Sequence, residues 1–584
     1  NIIVVEDNED WDPIGNVERK TSANNLSNNY YRSDHYDKDA VARIPITDEL
    51  LGNGYAAGLL NGTAGSNGPW RQSEGDSYPI LDPSHDEVNL RNLGDVYLIS
   101  TLEDLGKLRS DVNSGVRDYY IVYFEEDIDC GETTWVPIGT YEHPFTGYCN
   151  GEGHTIFNLN TAADNTKNGV GFFGVVGLNT EVRNLTIGSG AIRGGHGLGS
   201  IIGYAEHKTQ TEGYIRIIGC GNKASITGDY DCGGLIGGVY SDSKLKLLME
   251  NCYNMGNVTA NSKSAAMCGF AKHGAEILGC WNSGAVTGTE TGMGFARGDT
   301  DITVRNCHNY GSNLGQTGDG VTPFTDEEAR NGTLCFRING RSNDASVGLP
   351  WEQDITTDGY PRYAGYSNNQ RAVYASREIK SSYGTIILPY SVKSDDCIRY
   401  YTLAGANADG SQLNFTAVNV LEAGTPAIFR VVEPDIEYSF ISSNYYFDYK
   451  NDSNKEPFGP VSVAGWEMNG NLGITDKVFA DQTELKSLYY ISGGEIKSAS
   501  NKLTVAPFRA YLTCRDQQDN SPLRVIGVSF DDGSDTTGLQ LIPVEIHDDG
   551  TVRLGLYNLA GQPLDAPGQG ISIVNGRKVL NMQK

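Results

Sequence analysis

Four stretches decide the fold: IIGCGNKASI (217–226), MENCYNMGNV (249–258), ILGCWNSGAV (277–286) and VRNCHNYGSN (304–313). They put Cys220, Cys252, Cys280 and Cys307 in register at spacings of 32, 28 and 27 residues. Each is followed by a Gly-flanked apolar strand: GGLIGGV (233–239), CGFAKHG (268–274) or GMGFARG (292–298). GFFGVVG (171–177) and GSIIGYA (199–205) are earlier versions of that strand. Three short strands per period, separated by Gly and Asn turns, make one coil of a parallel β-helix; a propeller fits less well because its blades need longer repeats.

In a parallel coil, equivalent residues stack about 4.8 Å apart in one orientation. Cys220, Cys252, Cys280 and Cys307 then form an inward column, for which buried cysteine is well suited. Asn222, Asn254, Asn282 and Asn309, two residues on, point the same way and form an amide ladder. The residues between alternate outward: Gly221, Tyr253, Trp281 and His308. An outward column of Tyr253, Trp281 and His308 is the expected ligand-binding face, since flat rings with polar edges suit sugars. Trp281→Ala is expected to weaken glycan binding and leave the fold intact. The plainer reading is that these rings cover the sheet.

VYLIS (96–100) reads as a strand, followed by a helix with a Ser100/Glu103 capping box and Leu102, Leu105, Leu108 and Val112 on one face. A larger repeat brackets the solenoid. TDELLGNGYAAGLLNG (47–62) aligns without a gap onto TDEEARNGTLCFRING (325–340), and both continue into Trp-x-Gln and Tyr-Pro: Trp70, Gln72, Tyr78 and Pro79, then Trp351, Gln353, Tyr360 and Pro361. Thr325 and Glu328 form a capping box, so a short helix is predicted over 326–330.

YLISTLEDLGKL, WVPIGTYEHPFTGYCNGEGHTIFNL and the alternation of C-x-N-x-G with Gly-flanked strands resemble the GLUG-repeat β-helix proteins of bacterial surfaces, of Bacteroidetes type. The TDEE…W-x-Q…YP segment resembles the closing cap of such arrays. The resemblance covers about residues 1–365 and implies an exported protein.

Beyond Arg371 the period vanishes, and alternating strands such as YGTIILPYSV (383–392), AGTPAIFRVV (423–432) and NKLTVAPFRAYL (501–512) read as a β-sandwich. Residues 552–580 resemble a C-terminal sorting tail. The expected fold class is therefore all-β. A preceding array's end and cap occupy 1–83, the β-helix 84–322, its closing cap 323–370, the sandwich 371–530, and a linker with a small β tail 531–584.

The chain has 584 residues and a formal charge of −28, which disfavours nucleic acid and anionic membrane surfaces. No apolar run is long enough to span a bilayer. Neither H-E-x-x-H nor G-x-S-x-G occurs, so zinc-peptidase and α/β-hydrolase chemistry have no support. Glu125, Glu126, Asp127 and Asp129 form the one dense acidic cluster of the solenoid; they are the candidate carboxylates of a glycan-cleaving enzyme or a solvated strand end. Asp531, Asp532 and Asp535, and Asp448, Asn451, Asp452 and Asn454, offer oxygens of the kind calcium takes, against the reading of acidic loops. No other cofactor is expected. The reading is a non-enzymatic, adhesin-like exported protein binding a glycan or surface glycoprotein; the alternatives are a polysaccharide lyase or glycosidase, and a structural stalk.

Overall fold

The structure, a computed structural model, describes residues 96–206, 213–240, 245–291, 294–299, 301–311, 320–341, 349–365, 372–407, 412–441, 460–492, 495–499, 502–514 and 527–531, with isolated positions and short strands elsewhere. The chain divides into two units, Asn1–Ala375 and Ser376–Lys584.

The first unit is a parallel β-solenoid of about six turns. A complete turn carries five strands rather than the three expected. One runs Gly213–Ile218, Gly221–Asn222, Ser225–Gly228, Tyr230–Gly233 and Ile236–Val239, and each pairs with its equivalent in the next turn. The face of Gly221–Asn222 escapes a reading by period because a strand of two residues has no alternation to detect. The residue before each repeat cysteine takes a left-handed conformation: Gly219, Asn251, Gly279 and Asn306 have φ of 63°, 53°, 61° and 49°. Glycine and asparagine are the residues that tolerate it, so the Gly/Asn choice in I-G-C, E-N-C, L-G-C and R-N-C marks a corner of every turn.

One continuous apolar core fills the solenoid, from Ile99 to Cys307. Its N-terminal end is covered by the helix Leu102–Asn113, which buries Leu105, Leu108 and Val112. The capping box is Thr101 with Asp104, one residue beyond the expected Ser100/Glu103 pair. Ser100 is engaged elsewhere: its hydroxyl donates to Glu125 at 2.7 Å. At the other end, Asp326–Arg330 starts with the Thr325/Glu328 box and is followed by Thr333–Ile338, whose residues are all buried.

The strands that precede the two copies of the cap segment share their spacing. Ile2–Val4, Asn29–Arg32 and Arg43–Ile46 pair in parallel in steps of 27 and 14 residues, the steps that separate Trp281, His308 and Thr322. Gln72 donates to the Asp76 carbonyl as Gln353 does to that of Asp358. Arg71 bridges Ile80 antiparallel, as Glu352 pairs with Arg362.

The turn after Gly147–Asn150 carries a pH-dependent element. Glu152, at φ 51°, accepts a hydrogen bond from the Asn150 amide at 2.6 Å. Burial pushes its carboxyl up to about 7, against the pull of Arg183. The folded state thus holds this proton more tightly than the unfolded chain. The associated stability is present below the ordinary glutamate value and is lost as pH rises through about 7. Glu152→Gln keeps the acceptor and cannot ionise. It is expected to match the parent at pH 4 and to be more stable by about 1–2 kcal/mol at pH 8, read from denaturant midpoints at the two pH values.

In the second unit, one sheet orders Tyr383–Ile386, Ala427–Val431, Ile398–Ala406, Gln412–Val418 and Gly527–Asp531. The other orders Val461–Val463, Trp466–Asn471, Arg509–Cys514, Leu488–Ser492 and Glu495–Ser498. Tyr401, Leu403, Phe415 and Ile428 of the first share a core with Trp466, Met468, Tyr489 and Leu512 of the second, which makes a β-sandwich. A separate antiparallel sheet holds Leu556–Tyr557, Gly570–Val574 and Arg577–Asn581.

Candidate functional site

The Cys and Asn columns face inward. Cys220, Cys252, Cys280 and Cys307, and Asn222, Asn254, Asn282 and Asn309, are all fully buried. Each Asn amide donates to the next turn's side-chain carbonyl, Asn222 to Asn254 at 2.7 Å, then Asn254 to Asn282 and Asn282 to Asn309 at 2.8 Å. Backbone N–H groups of Cys220, Cys252 and Cys280 meet the next turn's Sγ at 3.3–3.4 Å. Burial raises these thiols, Cys220 to about 12, so the column is unreactive.

The residues between them point away from the core, yet the expected open ring face does not exist. Tyr253 lies over Gly221, where a Cβ would stand 2.1 Å from its ring, and stacks on Trp281 at 5.0 Å. Trp281 is stacked on its other side by Tyr360 at 5.0 Å and flanked by Trp351 at 6.3 Å. It is 1 % exposed, and His308 is 4 % exposed. The closing cap has folded back over this face, so the expectation of an accessible Tyr253, Trp281 and His308 platform is corrected: Trp281 is interior. The reason is the Trp-x-Gln…Tyr-Pro segment, whose rings find their apolar partners here.

The acidic cluster is divided among local structural roles. Glu125 accepts from Ser100, Asp127 accepts from the Thr155 N–H at 2.8 Å and faces His154 at 3.3 Å, and Asp129 accepts from the Gly131 N–H and the Asn158 amide at 2.8 Å each. Glu126 is exposed. Asp531 is exposed at the end of its strand, while Asp532, Asp535, Asp448, Asn451, Asp452 and Asn454 lie outside the described residues. Among the described residues no group of three or more His, Cys, Asp or Glu is placed to hold a metal.

What the turns bring together instead is a network on another outward face. His196 and Tyr230 are equivalent residues of adjacent turns, and their rings stack at 3.8 Å. Asp231, at φ 52°, faces His196 Nε2 at 2.9 Å and accepts from Tyr240 at 2.6 Å and Arg297 at 2.7 Å. Tyr204 meets His196 Nδ1 at 2.5 Å, and its ring lies 5.7 Å from that of Tyr141. Arg297 also reaches the Gly269 carbonyl and lies over Phe270.

Glycines make room for this packing. In the column Tyr204, Gly238 and Phe270, Gly238 leaves a gap that the Tyr240 ring fills, and a Cβ there would stand 2.2 Å from it. Gly197, at φ 69°, lies under Tyr204 in the same way. Burial alone would raise the Asp231 carboxyl, but hydrogen bonds from His196, Tyr240 and Arg297 outweigh it and hold the group below its ordinary value. Burial raises the Tyr204 and Tyr240 phenols, and Tyr141 is pushed up to about 12. All stay protonated at physiological pH.

Tyr204 and Asp231 are buried, whereas Tyr141 is 46 % and Tyr230 43 % exposed. The arrangement is a rigid polar network with two partly open rings at its margins. Its carboxylate is saturated with donors, so it suits recognition better than proton abstraction by Asp231. The sequence reading missed it because its members come from the 140–143 loop and strands of several turns. The one available signal was the large–Gly–large alternation at Tyr204, Gly238 and Phe270.

No family model matches the chain. Halomucin of Haloquadratum walsbyi is 30 % identical over 156 residues, which is 26 % of this chain and 2 % of halomucin, so the chain spans a small fraction of that relative's length. Among solved structures, a “putative immunoglobulin A1 protease” from Bacteroides ovatus aligns over 47 % of this chain and 93 % of its own, with 19 % identity and a TM-score of 0.30.

Proposed function

We propose that this chain is an exported surface protein that binds a glycan, free or on a glycoprotein, at the solenoid face around Tyr141, His196 and Tyr230. The observation that carries the reading is the pair of half-open tyrosine rings beside a buried, fully hydrogen-bonded network. Sugars pack their apolar faces on such rings and hydrogen-bond at the edges, and a prepaid, rigid network keeps ordering costs low. The β-solenoid, the formal charge of −28 and the local similarity to halomucin are consistent with an exported surface protein. In the described residues no helix is long and apolar enough to cross a membrane.

A glycan array with the purified chain tests the reading, followed by calorimetry on the best ligand. Tyr230→Ala is expected to weaken binding about tenfold or more with little change in melting temperature, because the ring is 43 % exposed. No array signal, or unchanged affinity in the variant, would overturn it.

A further inference from the structure

The last strand of the sandwich is attached unlike its neighbours. In the sheet of Tyr383–Ile386, Ala427–Val431, Ile398–Ala406 and Gln412–Val418, each adjacent pair is antiparallel. Gly527–Asp531 then joins the edge of Gln412–Val418 in parallel, from Gln412 opposite Gly527 to Thr416 opposite Asp531. A two-residue turn can hold an antiparallel strand beside its partner, but a parallel strand arrives through a crossover. Here the preceding strand, Arg509–Cys514, belongs to the other sheet, and residues 515–526, RDQQDNSPLRVI, make the connection. A stretch of that length reaches on the order of 40 Å, against about 10 Å between packed sheets and about 17 Å along a five-residue strand. The connection therefore has reach to spare and does not confine the strand to its own sandwich.

Side chains hold the strand instead. Val528 and Phe530 pack on the shared core. The Phe530 ring stacks on Tyr383 at 5.2 Å, meets Tyr401 edge-on at 4.7 Å and lies 6.1 Å from Phe415. Ser529 points the other way and donates to Asn414 Oδ1 at 2.6 Å. Every receiving residue lies on the sheet, so the same contacts form whichever copy of the chain supplies residues 527–531.

We propose that Gly527–Asp531 is an exchangeable strand, and that the Gln412–Val418 edge, backed by Tyr383, Tyr401 and Phe415, takes this strand from a second copy of the chain. The fit to that occupant is given by the strand already seated there, and the long connection supplies the freedom to donate it. An edge strand with a backbone partner on one side only opens below the global stability. Its departure bares unpaired backbone groups along Gln412–Val418, a template for another strand. A strand on such a tether sees its own groove at an effective concentration in about the millimolar range, which copies held side by side match. Donor strand and receiving edge are different surfaces, so one-way exchange extends into a chain of copies and reciprocal exchange closes a dimer. The glycan reading plays no part in this inference.

The test uses the intact chain with the two cysteines that are not buried, Cys397 and Cys514, changed to Ser. Asn414→Cys and Ser529→Cys are made separately, one of them isotope-labelled, mixed as native proteins at graded concentrations and joined with a short bismaleimide. A mixed covalent dimer is expected, rising with concentration and outnumbering dimers of either variant with itself about tenfold. Phe530→Ala in the Ser529→Cys copy is expected to lower the mixed product about tenfold through loss of the aromatic anchor, with Phe530→Leu intermediate. The double variant Asn414→Cys/Ser529→Cys needs no weakening of the fold: it is expected to give a covalent ladder that lengthens with concentration. A double variant joined only within single chains at every concentration overturns the exchange, as does a mixed dimer no more abundant than the self-dimers. Mixed product unaffected by Phe530→Ala shows copies meeting by another surface and overturns it too.

Discussion

Trp281→Ala is expected to destabilise the solenoid by about 3–5 kcal/mol, one of the largest single-residue effects in the molecule. The indole is held between Tyr253 and Tyr360, nearly parallel to both at 10° and 5°, with Trp351 against its side. Removing it leaves a cavity that three large rings, anchored in different segments, cannot jointly fill. Because Tyr360 and Trp351 belong to the closing cap, the loss should loosen the cap as well as the turn. Thermal unfolding and proteolysis between 342 and 365 measure both, and Trp281→Phe should recover part of the loss by restoring a stacking face. A melting point within a degree of the parent would mean that the cap does not cover this face in solution.

The contrast between Trp281 and its neighbours shows which part of the structure a sequence can disclose. Cys280, Trp281 and Asn282 alternate in, out and in, and that alternation follows from strand geometry alone. What lies over the outward residue does not follow, because the cover comes from Trp351 and Tyr360, some seventy to eighty residues downstream, and from a chain path no local rule specifies. The W-x-Q…Y-P motif was visible as a repeat; its destination was not. The same holds for the His196 network. Its pieces are ordinary when read singly: one histidine, a left-handed aspartate, tyrosines and an arginine. They become a site only when the turns put His196 beside Tyr230 and let Tyr240 occupy the gap at Gly238. The count of five strands was hidden for a related reason, since Gly221–Asn222 and its equivalents are set by corner conformation rather than by a hydrophobic pattern.

Asn254→Ala is expected to cost about 3–4 kcal/mol, nearly as much as the tryptophan, for a side chain with far less surface. The Asn254 amide donates to the Gly256 carbonyl at 2.9 Å and to Asn282 at 2.8 Å, while its own carbonyl accepts from Asn222 at 2.7 Å. The variant removes three bonds from a dry interior where water cannot replace them without opening the turn. Unmade buried hydrogen bonds cost about 1–3 kcal/mol each, partly offset here because the Asn222 amide keeps its second acceptor, the Ala224 carbonyl. The ladder also predicts how the penalties combine. Asn254→Ala and Asn282→Ala each delete the bond between them, so the double variant should cost less than the two singles added. Asn222→Ala with Asn309→Ala shares no bond and should be additive. Denaturant midpoints for the four single and two double variants decide it. Additivity in the adjacent pair would mean that the amides serve their own turns separately and that no ladder runs along the core.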